Sequence, residues 1–291
     1  MAFDDAYDAL TDHEDDTRWA FGTGFADPLS GVPTSVPSDV DGTALATYCL
    51  MLADDALVLS HRLQEWVTRA PEIEDELAIA NIALDLLGQA RLLLTRAGEV
   101  EGRGRDEDAL AYLRDPADFR NVRLVEPPDR DFAHLVTRLL VFAVWRLALL
   151  DRLTGSRDPI LAAVAAKGVK EVTYHREYAA QWVVRLGDGT AESHRRMEAA
   201  LAAVWPLTGE LFRAHPTERD LAAAGVAVDP AALRSEFDAV TAQVLADATL
   251  VSPMVQPTDM DGGRDGVHTP ALTGILEQMQ AVARAMPGAV W

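Results

Sequence analysis

From Thr43 onward no stretch alternates apolar and polar residues for long enough to make a strand. Apolar residues recur instead at the three- and four-residue spacing of helices. Such a chain buries its apolar stripes helix against helix, and it shows no internal repeat that would stack into a solenoid. One helix is expected from Ala44 to about Arg69, stopped by Ala70-Pro71. The next, about Glu74 to Arg96, has acids in its first turn, arginines near its end and Gly98 just beyond, as the helix dipole favours. After a charged, glycine-rich loop, a short helix is expected near Glu107, and a third long one from about Phe132 to Thr154. Asp158-Pro159 opens a fourth, with proline at the first helical position, and Gly187-Asp188-Gly189 closes it. Three more are expected: about Ala191–Ala214, kinked at Pro206, then Pro230–Leu250 and Pro270–Ala285. Four long helices with shorter ones appended predict an all-α, ferritin-like four-helix bundle with additional C-terminal helices over residues 44–291. Residues 1–43 are acidic, carry Gly22, Gly24, Pro28, Gly31, Pro33 and Pro37, and read as a largely irregular extension.

Charge narrows the function classes. The chain has 46 Asp and Glu against 26 Lys and Arg, a net −20 at neutral pH. Such a surface repels phosphate backbones and anionic lipid, so nucleic acid and membrane are not expected partners. Only two of the bases are lysines, Lys167 and Lys170. Acidic excess, abundant alanine and valine, and near-absence of lysine suggest adaptation to high salt, where screening relieves self-repulsion. Cys49 is the only cysteine, which excludes a disulfide framework and fits a reducing compartment. The N-terminus lacks the basic-then-apolar layout of a signal peptide. The longest apolar run, Leu139 to Leu150, is broken by Arg146 and reads as too short to span a bilayer. A cytoplasmic location is the expectation.

Ferritin-like bundles can hold two irons, with a glutamate from each of two helices and a Glu-x-x-His from each of the others. None of the seven histidines here has a glutamate three residues earlier. His134 and His268 have Asp131 and Asp265 there, at a helix start and in a glycine-rich stretch, where capping or turn roles are expected. Between Phe132 and Leu150 there is no acid at all, and from Leu77 to Arg96 only Asp85. That inventory does not supply the hard oxygen donors of a di-iron centre, so no metal, cofactor-binding or catalytic residue is assigned. No Ser-His-Asp or Cys-His arrangement can be defended from spacing, and DGGRDGVHTP lacks the spacing of a phosphate-binding loop. At about 100° per residue, Lys167, Glu171, His175 and Tyr178 share one stripe beside the apolar face of Ala165, Val172, Ala179 and Val183, with Lys170 to its far side. Lys167 and Glu171 are expected as a partly buried pair, and His175 as a hydrogen-bonded core histidine. Trp66, Trp145, Trp182 and Trp205 read as packing anchors. Asn81 reads as a buried polar group needing a partner, or as an interface contact.

The runs LVLSHRLQEWVTRAPEIEDELA, ELAIANIALDLLGQARLLL, GSRDPILAAVAAKGVKEVTYHREYAAQWVVRLGDGT and GGRDGVHTPALTGILEQMQAVARAMPGAVW resemble the C subunit of the bacterial phenylacetyl-CoA epoxidase, a ring-1,2 monooxygenase. The resemblance covers residues 44–291. It implies a ferritin-like subunit without its own di-iron centre, supporting a catalytic di-iron A subunit that epoxidises phenylacetyl-CoA with electrons from a separate reductase. Catalytic relatives have a segment similar to Asp-Glu-x-Gly-His where this chain reads Asp85-Leu86-Leu87-Gly88-Gln89. They have a run like Glu-Glu-x-x-His where it reads Glu171-Val172-Thr173-Tyr174-His175. Leu86, Gln89, Val172 and His175 are then the vestigial metal positions, and Lys167 or Lys170 is expected to supply positive charge near Glu171 or Asp85. The first-helix slot falls on Asp54, Asp55 or Glu65. Arg264 and His268 are expected to touch a partner subunit. Two other readings stay open: a divergent di-iron oxygenase with its own site, and a free-standing ferritin-like storage or stress protein.

Overall fold

The structure, a computed structural model, describes residues 29–253 and 262–286, so most of the acidic N-terminal extension lies outside it. The described residues from Val32 onward form one compact unit. Its described elements are helical, with no strand among them. The four long helices are α1 (Gly42–Gln64), α2 (Ile73–Glu101), α4 (Phe132–Leu153) and α5 (Pro159–Gly187), with the short α3 (Glu107–Tyr112) between the pairs. Then come α6 (Ala191–Val204), α7 (Pro216–Ala223), α8 (Arg234–Asp247) and α9 (Pro270–Ala285).

Local chemistry sets most boundaries. Asp41, Asp131 and Asp158 accept backbone N–H bonds at the starts of α1, α4 and α5, satisfying donors that a helix start leaves open. Three expected boundaries move. Helix α1 stops at Gln64, where the Trp66 N–H turns back to the Leu63 carbonyl (2.9 Å) and the indole is buried. Helix α2 runs past Gly98 and ends at Gly102, which takes the left-handed conformation (φ 65°). Gly98 instead lies under the Arg105 carbonyl, where a Cβ would overlap it. Helix α6 ends before Pro206 rather than kinking there, because proline supplies no N–H to the preceding turn; a 3₁₀ helix follows over Trp205–Phe212. The expected Pro230–Leu250 helix splits into a 3₁₀ turn, Pro230–Leu233, and α8. Helix α7 was not expected. It is stitched by His215, which caps it, and Glu218, whose carboxylate accepts the His215 N–H (2.8 Å).

Helix α1 packs along α2 and α4 along α5, and the pairs meet where α2 touches α5. Helices α6 and α8 cover α4 and α5, α7 covers α1, and α9 lies over α3 and α1. Helix α4 is therefore surrounded, with every residue from Ala133 to Leu150 except Leu147 buried. Three helices, α1, α2 and α4, are long and apolar enough to cross a membrane by length and composition. The expectation that no segment reaches that length is corrected here, since the α4 helix extends beyond the Leu139–Leu150 run on both sides. In α4, 94% of the apolar window is buried inside the protein, so its apolar surface is spent on the core. Helix α2 is the exception, with half of its window uncovered.

Candidate functional site

The seam between α2 and α5 carries a ladder of polar contacts. At one end, the Tyr178 hydroxyl and the Trp182 indole N–H both donate to Asp75 Oδ1 (2.9 Å each). Burial, then the Asp75 carboxylate, pushes the Tyr178 hydroxyl pKa up. In the middle, His175 is buried and its Nε2 lies 3.0 Å from Asp85 Oδ2. At the other end, Gln89 Nε2 donates to Glu171 Oε2 (3.0 Å), and Lys167 pairs with Glu171 Oε1. The Glu171 side chain is 14% exposed and that of Lys167 34%. Lys170 is exposed and makes no ion pair among the described residues. Of the two lysines, only Lys167 reaches a carboxylate; the partner of Asp85 is His175, not a lysine.

Leu86 and Gln89 on α2 and Val172 and His175 on α5, the positions expected to be vestigial, flank this seam. Leu86 and Val172 are fully buried hydrocarbon, and Gln89 and His175 are buried and committed to Glu171 and Asp85. Among the described residues no three His, Cys, Asp or Glu side chains are placed to share a metal ion. Leu86, Gln89, Val172 and His175 include no carboxylate, so these four do not fit the glutamate-rich donor set of a di-iron centre.

A cation does lie at the bundle centre, but it is neither lysine. Arg146, on α4, is fully buried, and its Nη2 donates to the Leu52 carbonyl (3.2 Å) and to Gln89 Oε1 (3.3 Å). Its Nε and Nη1 find no hydrogen-bond partner among the described residues. Burial lowers its pKa to about 10, even with Asp55 nearby favouring the charge. Gln89 thus joins Arg146 inside to Glu171 and Lys167 outside. The signal was present in the sequence as Arg146, one of two arginines with Arg138 in the acid-free run Phe132–Leu150.

The first-helix candidates are also occupied. Asp54 and Asp55 are fully buried. Asp54 binds Arg114 (2.5 and 3.0 Å) and accepts the Arg120 N–H (2.8 Å). Asp55 binds Arg264 (2.7 and 3.0 Å) and accepts the Val122 N–H (2.8 Å). Burial raises the Asp55 pKa, with Arg264 working against the rise. Glu65 pairs with its neighbour Arg62 at 2.7 Å, near the end of α1.

Arg264 and His268 are not free for a partner. Arg264 is buried, and beyond Asp55 it donates to the Met51 (2.8 Å) and Arg120 (2.6 Å) carbonyls. His268 Nδ1 lies 2.7 Å from Glu126 Oε1, and its Nε2 lies 2.9 Å from the Phe119 carbonyl. Glu126, fully buried, also accepts the Thr269 N–H and hydroxyl (2.7 and 2.6 Å). These residues fasten the loop before α9 to the bundle. Gly263 allows the close approach, because its backbone rests on the Asn121 carbonyl where a Cβ has no room. Asp265 accepts the Gly262 N–H (3.0 Å), a turn contact, and Asp131 caps α4 through the His134 N–H (2.9 Å).

Trp145 is buried, with its indole N–H donating to the Leu211 carbonyl (3.0 Å). Trp66 and Trp182 flank Phe132 at 6.4 and 4.9 Å, and Trp205 packs on Phe237 at 6.2 Å. Asn81 is exposed, not buried.

A family model described as phenylacetic acid catabolic protein matches residues 31–291. The chain belongs to that family. It is 45% identical over 247 residues to the C subunit of the 1,2-phenylacetyl-CoA epoxidase of Escherichia coli (strain K12). That alignment takes in 85% of this chain and 99% of the relative. Family membership therefore covers the whole bundle and both flanks of the α2–α5 seam.

Proposed function

We propose that this chain is the non-catalytic, structural subunit of a multicomponent phenylacetyl-CoA epoxidase in aerobic phenylacetate catabolism. It binds and supports a catalytic di-iron subunit, with the other subunits of the complex and a separate reductase completing the enzyme. The observation that carries this reading is the filling of the metal position. Leu86 and Val172 occupy it with hydrocarbon, while Gln89 and His175 are held in internal hydrogen bonds. A bundle packed in this way at the seam is suited to holding the partner's ligand helices in place. The chain itself holds no cofactor in this reading, and it works in the cytoplasm. We also infer adaptation to a salt-rich cytoplasm from the net charge of −20 and the two lysines.

The test is metal analysis together with reconstitution. The purified chain should bind no stoichiometric iron and should not epoxidise phenylacetyl-CoA with reductant and O₂. Adding it to the catalytic subunit should produce a complex of higher activity than that subunit alone. Two irons per chain, kept through dialysis and lost on His175→Ala, would establish a divergent di-iron oxygenase instead. Failure to associate with any epoxidase subunit would favour a free-standing ferritin-like protein.

A further inference from the structure

Helix α2 leaves a row of large apolar side chains uncovered: Ile73 is 68% exposed, Leu77 61% and Leu84 60%. At 100° per residue these three lie within 40° of one another, and Asn81 and Gly88 fall on the same side. The stripe from Ile73 to Gly88 is about 22 Å long at 1.5 Å per residue. The C-terminal helices pack on α1, α3, α4 and α5, and none packs substantially on α2. Across the seam, α5 continues the surface with Tyr174, 48% exposed, and with both lysines of the chain. The Lys167 ammonium reaches toward α2, with its Nζ 3.9 Å from where a Cβ on Gly88 would stand. An apolar strip of this length, rimmed by polar groups, marks an interaction surface rather than ordinary exposure.

We propose that the outer face of the α2–α5 pair is the docking surface for the catalytic subunit. The occupant is a helical face of that subunit, apolar along its middle and with carboxylates opposite Lys167 and Lys170. This rests on the function proposed above. Charge argues for that occupant. On a chain of net charge −20, both lysines stand at this one strip, and among the described residues no carboxylate pairs with Lys170. A carboxylate from outside would satisfy Lys170 and reinforce the half-satisfied Lys167. A second copy of this chain fits less well, because it would bring another surface of net charge −20 and set lysines against the apolar stripe. Asn81, neutral and in the middle of the strip, gives the partner a hydrogen-bonding point that fixes its register.

The experiment co-expresses the full-length chain with the catalytic epoxidase subunit of the same organism and measures their association. Leu77→Glu with Leu84→Glu should weaken it by at least about tenfold, with unchanged helicity and melting point in the isolated chain. Lys170→Glu should weaken it less, and the loss should shrink as salt is added. Val282→Glu, at an exposed position on α9 (55%), should leave association unchanged. If wild type binds the catalytic subunit and the double variant binds equally well, the docking surface is wrong and the proposed function stands. If wild type does not bind that subunit at all, the proposed function fails with it. If wild type alone forms a dimer that Leu77→Glu/Leu84→Glu dissolves, the occupant is a second copy and the proposal is overturned.

Discussion

Two arginines make the clearest contrast at the scale of single residues. Arg264 answers the buried carboxylate of Asp55, whereas Arg146 contacts only neutral acceptors and leaves two nitrogens unpartnered. Removing one member of a buried pair strands the other charge, so Arg264→Met should cost about 3–5 kcal/mol. Arg146→Met strands no charge, because Asp55 keeps Arg264 and the Val122 N–H. It should be neutral or stabilising by about 1–2 kcal/mol in denaturant unfolding; a loss above about 3 kcal/mol would show that the central cation is indispensable to the bundle. The lysine pair lies between these extremes. Glu171 is nearly buried but Lys167 is a third exposed and screened by solvent, so a cycle of Lys167→Met and Glu171→Leu should give coupling of about 1 kcal/mol. Lys170→Met, with no partner to lose, should change stability by less than about 0.5 kcal/mol. Equal effects at both lysines would mean that Lys167 behaves as an ordinary surface residue.

At the scale of elements, helix positions are decided by what lies across from them. Alanine normally exceeds glycine in a helix interior by about 1 kcal/mol. At Gly98 that preference is reversed, because a methyl group would meet the Arg105 backbone carbonyl on the far side of the α2–α3 turn. Gly98→Ala should therefore destabilise by about 1–3 kcal/mol, the range of overpacking, as read by thermal melting. Stabilisation would mean that the 102–106 loop yields easily. The same logic separates α2 from α4. Both are apolar enough to be core helices, but α4 is enclosed by α5, α6 and α8, while α2 has one face left open.

For the whole molecule, net charge sets the response to solution conditions. Self-repulsion at −20 acts over a Debye length of about 30 Å at 0.01 M salt but only about 3 Å at 1 M. The melting point should rise steeply between the two, and an unchanged midpoint would remove the argument for salt adaptation. Acidity also acts through single buried groups. Burial raises the Glu218 pKa above its ordinary value, with Arg264 partly offsetting the rise. A carboxyl that holds its proton more tightly when folded stabilises fully below its unfolded pKa, and that contribution is lost as pH rises through the folded one. Glu218→Gln should thus gain on wild type as pH is raised from about 4 to 7, measured by calorimetry. A difference that does not grow over that range would mean that ionised Glu218 carries no net penalty.

The all-helical class, the four long helices and most of their starts were legible in the chain, because periodicity and caps are local properties. Asp131 and Asp158 announce their helices. Spacing along α5 also placed Lys167, Glu171 and His175 on one stripe. What it did not say was which of them meets which residue of α2. That Asp85 takes His175, that Gln89 bridges Glu171 to Arg146, and that Arg264 turns inward to Asp55 depend on helices brought together from distant parts of the chain. Exposure behaved the same way: Asn81 sits in an apolar sequence, yet it faces outward because, among the described residues, no helix after α5 packs substantially on α2. A helix's apolar faces are written in its sequence, but which of them is buried is decided only when the other helices arrive, since burial is a property of the neighbour.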